Sequence, residues 1–248
     1  MKHPNTNNCL ISAMKIFSKI FFVFVFYIQL AFSQSNNPDI ILKKVLEAFN
    51  KVQDYEVNVN IKVDVDFLKA PETKAKIYFK QPDKIHFESE TFALLPREGF
   101  DFSPNALLNK KYTAFFERVD TIDNFKTSVI KVIPLGETED VILSTLWIDQ
   151  AKFMIRKIES TTKFNGTFSI ELKYENDLDY PLPSSMIFTF NIDKTNLPRG
   201  FSGDLRVDNK QKKKDDKPTT TGKVYLTYTD YKINKGIPDK LFEERKWK

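Results

Sequence analysis

The sequence predicts a mainly β fold: a curved antiparallel sheet of roughly ten strands, with helical structure confined to its flanks. Three observations carry this. From Tyr55 to Phe67 the chain alternates without an error. Tyr55, Val57, Val59, Ile61, Val63, Val65 and Phe67 are apolar, and Glu56, Asn58, Asn60, Lys62, Asp64 and Asp66 between them are polar or charged. A period of two means a strand with one buried and one wet face. At ~3.3 Å per residue it is roughly 40 Å long, so its sheet must twist and wrap around something. Second, runs rich in β-branched and aromatic residues recur down the rest of the chain, separated by turn signals. Third, a single stretch, Ile40 to Gln53, keeps a helical period over several turns.

The amino-terminal residues read as a segment removed from the folded product. Lys15 and Lys19 precede an apolar run from Ile20 to Phe32, and Ala31-Phe32-Ser33 has the small-x-small spacing of a signal peptidase site. The run is too short to span a bilayer comfortably, which favours a cleaved signal over an anchor. Residues 1–33 are therefore expected to be a signal peptide, and residues 34–248 one domain. Met1 to Ala13 reads as an added leader, with Met14 the expected start. Cys9 is the only cysteine and precedes the apolar run, so the mature chain would hold no thiol, no disulfide and no lipid-modified cysteine. Export without disulfides points to a bacterial envelope protein, with the periplasm as the expected location.

The helix is expected to start at Asn36-Asn37-Pro38-Asp39, with Asp39 as cap. Leu42, Val45, Phe49 and Val52, backed by Ile41, Leu46 and Ala48, form its apolar face, while Lys43, Lys44, Glu47 and Lys51 face away. After the long strand, Ala70-Pro71-Glu72 turns the chain. Strands are predicted at Lys74 to Lys80 and Lys84 to Thr91, joined at Gln81-Pro82-Asp83. Tyr112 to Val119, Phe125 to Ile133 and Glu139 to Ile148 follow. Phe153 to Phe164 and Thr167 to Tyr174 flank Asn165-Gly166, the strongest hairpin signal in the chain. Met186 to Ile192 and Lys223 to Ile233 complete a set of antiparallel meanders.

Two stretches break the pattern. Between Phe92 and Leu108 the chain is apolar without a period, punctuated by Pro96, Gly99 and Pro104. Ser103-Pro104 suits the cap and first position of a short helix through Lys110. So apolar a connection must bury itself, either as core filling or as a lid that shifts when a ligand enters. Ser202 to Thr221 holds Lys210, Lys212, Lys213, Lys214 and Lys217 with Asp215 and Asp216, and reads as a solvated, mobile basic loop.

The charge and the missing chemistry exclude several functions. Without residues 1–33 the chain has 35 basic and 33 acidic residues, so no nucleic acid is expected. His86 is then the only histidine, too few for a histidine metal cluster. No serine stands in a nucleophile elbow, and no glycine-rich phosphate loop exists. Asp64 and Asp66 share a strand face, but it is the wet one, and Asn165-Gly166-Thr167 reads better as a hairpin than as a glycosylation triplet. No catalysis, metal or cofactor is expected. What remains is apolar surface: 17 phenylalanines stand beyond residue 33, many on regular strand faces. A concave apolar sheet points to binding of a hydrophobic ligand.

The order of elements resembles the bacterial outer-membrane lipoprotein carrier superfamily, the LolA/LolB-like proteins, from the helix Ile41 to Val52 through Ile237-Pro238-Asp239-Lys240-Leu241-Phe242. The most specific piece is Ala75-Lys76-Ile77-Tyr78-Phe79-Lys80-Gln81-Pro82-Asp83-Lys84-Ile85-His86-Phe87, similar to the family's strand–basic-Pro–strand hairpin. Leu146-Trp147-Ile148-Asp149 followed by Ile155-Arg156-Lys157-Ile158 resembles a second family hairpin. The resemblance implies an unclosed β-barrel capped by the N-terminal helix and a short lid helix. It implies a soluble periplasmic carrier or chaperone of the acyl chains of lipoproteins or lipids, without cofactor or catalysis. Two departures stand out: the family arginine before the hairpin proline is Gln81 here, preceded by Lys80, and residues 202–221 have no counterpart in the family pattern.

The expected ligand-binding residues are Val59, Ile61, Val63, Ile77, Phe79, Phe87, Phe92, Leu94, Leu95, Phe100, Phe102, Leu107, Phe168, Ile170, Phe188 and Phe190. Of these, Val59, Ile61 and Val63 should have almost no solvent exposure, because a one-residue slip would expose the whole apolar row. Expected partners are acylated lipoproteins or lipids, and inner- and outer-membrane transport proteins, for a monomeric protein. The competing readings are an envelope stress sensor or protein-interaction module on the same scaffold, and a structural envelope β-protein whose core is filled by its own side chains.

Overall fold

The computed structural model describes residues 36–65, 71–89, 104–136, 140–163, 166–175, 179–193 and 219–243. The predicted signal segment, most of the basic loop, and the lid residues Phe92, Leu94, Leu95, Phe100 and Phe102 lie outside them.

Asn37 starts the first helix, α1 (Pro38–Phe49), its side-chain oxygen accepting from the backbone N–H of Asp39 at 2.9 Å and of Ile40 at 3.4 Å. Asn37 is the cap rather than Asp39, because Pro38 has no N–H to leave unsatisfied and sits well at the first helical position. The helix ends at Phe49, short of the expected Gln53, where Val52 N–H donates to Phe49 O in a turn. Leu42, Val45 and Phe49 are buried, while Lys43, Lys44 and Glu47 are exposed. Each of those buried side chains contributes about 1.5–3 kcal/mol.

Ten strands follow: β1 (Asp54–Asp64), β2 (Thr73–Lys80), β3 (Lys84–Glu88), β4 (Tyr112–Ile122), β5 (Phe125–Pro134), β6 (Val141–Asp149), β7 (Ile155–Thr162), β8 (Thr167–Lys173), β9 (Ser185–Asp193) and β10 (Thr219–Ile233). Two short helices complete the described chain, α2 (Pro104–Leu108) and α3 (Lys240–Glu243). β10 begins four residues before the predicted Lys223, inside the stretch read as mobile. Thr219, Thr220 and Thr221 are β-branched and pair with Asp193, Ile192 and Asn191.

All strands belong to one antiparallel sheet in the order β3-β2-β1-β10-β9-β8-β7-β6-β5-β4. Neighbours in space are neighbours in sequence at every step but one, where β1 pairs with β10. The sheet stays open, and its two free edges, β3 and β4, are consecutive in the chain. Bulges in β4, β6, β7 and β10 add the local twist that curls such a sheet.

The alternation of β1 holds. Val57, Val59 and Ile61 are buried and Asn58, Asn60 and Lys62 exposed. They join one apolar cluster on the concave face with Ile77 from β2, Leu226 from β10, Phe188 from β9, Ile170 from β8 and Ile130 from β5. Leu42 and Val45 of α1 and Leu108 of α2 close over it.

Candidate functional site

The concave lining is graded along the strands. At the end where β1 begins, the turns are tight and packing is complete: Phe79 stacks on Tyr55 with centroids 5.1 Å apart and meets Phe49 edge-on at 5.5 Å. Tyr231 donates its hydroxyl to Pro183 O at 2.8 Å and Tyr174 to Ile155 O at 2.7 Å. Burial pushes both phenols above their ordinary value, so they stay neutral donors.

The opposite end, where β1, β5, β7 and β9 finish, is looser. Phe168, Phe188 and Phe190 make a ladder of rings, 5.5 and 5.1 Å between successive centroids, and Phe168 and Phe190 are only partly buried. Gly222 stands opposite Phe190 in the β9–β10 ladder, so the concave face has no side chain at that point. Val63 is also partly buried. This corrects the expectation of almost no exposure: pairing with β2 stops at Ile61–Thr73, so no β2 residue flanks Val63. Phe87 is partly open because β3 is a free edge, and Leu107 of α2 lies against the cluster.

The sequence-predicted residues thus fall into three groups. Val59, Ile61, Ile77, Ile170 and Phe188 are buried in the concave cluster, and Phe79 in the smaller one beside Phe49, Val52 and Leu182. Val63, Phe87, Leu107, Phe168 and Phe190 are the partly open lining. Phe92, Leu94, Leu95, Phe100 and Phe102 are outside the described residues.

Polar groups missed by sequence reasoning hold the frame of this lining. Gln81 joins three elements. Its Nε2 donates to Val52 O at 3.0 Å and to Asn50 Oδ1 at 3.3 Å, and its Oε1 accepts from Asn105 Nδ2 at 2.7 Å. Asn105 Nδ2 also reaches Pro82 O at 3.2 Å, so the β2–β3 turn is tied to the end of α1 and to α2. At the β6–β7 turn Arg156 donates from Nε and Nη2 to Asp149 Oδ2 at 3.0 and 2.7 Å, and Phe125 covers the guanidinium at 3.3 Å. Asp149 Oδ1 caps the turn by accepting from Ala151 and Lys152 N–H. Burial pushes the Asp149 carboxyl up, but Arg156 and the two N–H groups outweigh it and hold it below its ordinary value. Both residues lie in a quoted motif; only the bulge between Trp147 and Ile148 in the β6–β7 register could have paired them.

Among the described residues no group of three or more His, Cys, Asp or Glu is placed to hold a metal ion, and no helix is long and apolar enough to cross a membrane. The concave face offers apolar contact and, at Ser144 and Ser160, hydroxyls already bonded to each other at 2.7 Å.

The sequence matches no protein-family model and no curated protein. The fold is similar to that of a LolA superfamily protein from Nitrosomonas europaea, with a TM-score of 0.54 and 15% identity over 82% of this chain and 96% of that one. It is also similar to a DUF1329 family protein from Desulfovibrio piger, with a TM-score of 0.53 and 10% identity over 83% of this chain and 97% of that one. At such identities the likeness is one of fold: the chain has the fold of a LolA superfamily protein, as the hairpin motifs led one to expect.

Proposed function

We propose that this protein binds the acyl chain of a lipid or lipoprotein on its concave apolar face and carries it through the periplasm. One observation carries the reading. An unclosed sheet keeps Val63, Phe168 and Phe190 partly open beside a continuous buried apolar cluster, at the end where Gly222 stands opposite Phe190 and adds no side chain. A purely structural core would bury those side chains fully, since leaving them partly wet forgoes a share of the about 1.5–3 kcal/mol that full burial of each contributes. An acyl chain recovers that energy by covering them, and needs few polar contacts in return. Transport also implies donor and acceptor proteins in the two membranes, which are part of this proposal.

Binding of a fluorescent fatty-acyl probe tests it. Phe168→Glu places a carboxylate on the partly open lining and should weaken the probe about tenfold or more while far-ultraviolet dichroism stays unchanged. A folded Phe168→Glu protein with full probe affinity sinks the reading, and so does a wild-type protein that takes up no probe.

A further inference from the structure

The convex side of the sheet carries a second feature. After β10 the chain doubles back as a strap, residues 234–239, fastened by Asp54. That carboxylate accepts from the N–H of Lys235 at 2.9 Å and of Gly236 at 3.1 Å. Asn234 adds bonds from its Nδ2 to Lys51 O and from Gln53 N–H to its Oδ1. Between strap, α3 and the wet faces of β1, β2 and β10 lies an open groove of about 570 Å³.

The composition of this groove is specific. Its apolar walls are the Tyr78 ring, Ile237 and Leu241. Its charges are Lys232, Lys235 and Lys240 against one carboxylate, Glu56. Glu56 is already bonded by two ammoniums, Lys76 and Lys232, each at 3.1 Å, and those bonds hold its carboxyl below its ordinary value. Among the described residues Lys235 and Lys240 carry no ion pair, whereas Lys80 and Lys84 on the far side of the strap share Asp239 at 3.0 and 2.8 Å. Glu88 is turned to the Tyr78 hydroxyl at 3.1 Å. A Cβ built on Gly236 would meet nothing within 4 Å, so the groove is open above the strap.

We propose that this groove binds an anionic amphiphile, with its phosphate or carboxylate head between Lys232, Lys235 and Lys240 and a short aliphatic body on Tyr78, Ile237 and Leu241. The head accepts hydrogen bonds from Lys235 and Lys240, which have no ion partner among the described residues, and such charge-assisted bonds are the strong ones. With Glu56 bonded by Lys76 and Lys232, the lining keeps a net positive charge, which disfavours a cation. A bare inorganic anion would leave the apolar walls against its hydration shell, so the aliphatic part adds affinity. The site is on the opposite face from the concave lining and does not depend on what that lining holds.

Nuclear magnetic resonance titration of the isotope-labelled protein tests this, with octyl phosphate and octanoate below their micelle concentrations, inorganic phosphate, and the neutral octyl glucoside. Octyl phosphate and octanoate should shift the amides of Lys232 to Leu241 saturably. Inorganic phosphate should bind there at least about tenfold more weakly, and octyl glucoside should leave those amides still. Lys235→Glu/Lys240→Glu should weaken octyl phosphate about tenfold or more, and the milder Lys235→Gln/Lys240→Gln less, with both proteins keeping the wild-type affinity for the fluorescent acyl probe. Phe168→Glu should do the reverse. Shifts confined to the concave face, equal response to octyl glucoside, inorganic phosphate as tight as octyl phosphate, or indifference to both lysine pairs would each overturn the proposal.

Discussion

Replacing Gln81 with alanine removes the polar junction between the β2–β3 turn, α1 and α2. Two of its side-chain bonds have good geometry, to Val52 O at 3.0 Å and from Asn105 at 2.7 Å. The third, to Asn50 Oδ1, is long at 3.3 Å. A net value of about 1 kcal/mol for each good bond gives a loss of about 2 kcal/mol. Asn105, 4% exposed, keeps its longer bond to Pro82 O, so the loss stays near that figure. Because α2 is five residues long and held by Leu108 and Asn105, the loss should fall on its local opening and not on the sheet. Two kilocalories correspond to about a thirtyfold rise in the open population. Hydrogen exchange read by mass spectrometry should show that acceleration in residues 104–109, whose Asn109 N–H bonds Asn105 O at 3.0 Å, with β5 and β6 unchanged. Unchanged exchange in that peptide would refute the junction. A uniform loss of protection throughout the sheet would show that Gln81 supports the hairpin alone.

Two further outcomes follow from the buried carboxylates. Asp149 titrates below its ordinary value of 3.8 in the fold, so its contribution is present above that pH and disappears as pH falls through the lower folded value. Thermal stability should therefore drop below about pH 4, and Asp149→Asn should flatten that drop while costing about 3–5 kcal/mol at pH 7 by urea unfolding, since it leaves Arg156 buried without its counter-charge. An unaltered acid limb would exclude Asp149 from it. Asp54→Ala should release the strap: trypsin should cut at Lys235 faster than the sheet unfolds, and a cleavage rate that only tracks global unfolding would show the strap is held by other contacts.

The strands were legible because most are alternating or β-branched runs, several bounded by Pro, Gly or Asn, and β1 shows the rule at its plainest, with Val59 in and Asn60 out. Legibility failed where neighbours decide. Val63 carries the same pattern as Ile61, yet its exposure depends on where β2 stops. Thr219 to Thr221 looked like the end of a charged loop until β9 supplied partners for them. At α1, a polar residue on either side of Pro38 could cap, and Pro38 decided for Asn37. The site divides the same way. Apolar lining follows from strand faces, so Ile77, Ile170 and Phe188 could be named from sequence. The junction at Gln81 and the strap at Asp54 could not, because their partners lie far along the chain and polar side chains have no period to reveal them.

The one ladder that is not local sets how this chain can fold. Eight of the nine pairings join consecutive strands, and those with short turns can form as hairpins within microseconds. Along the β1–β10 ladder the Asn58 side chain donates to Asp230, 172 positions away. Until it forms, β1–β3 and β4–β10 are separate ribbons, each exposing an apolar face and an unpaired edge. Closing that span costs conformational entropy before any contact rewards it, so docking of β1 on β10 is the natural rate-limiting event. During that interval the two ribbons are exposed to pairing with other chains, and a nascent chain must wait for its last long strand before its first can be sheltered.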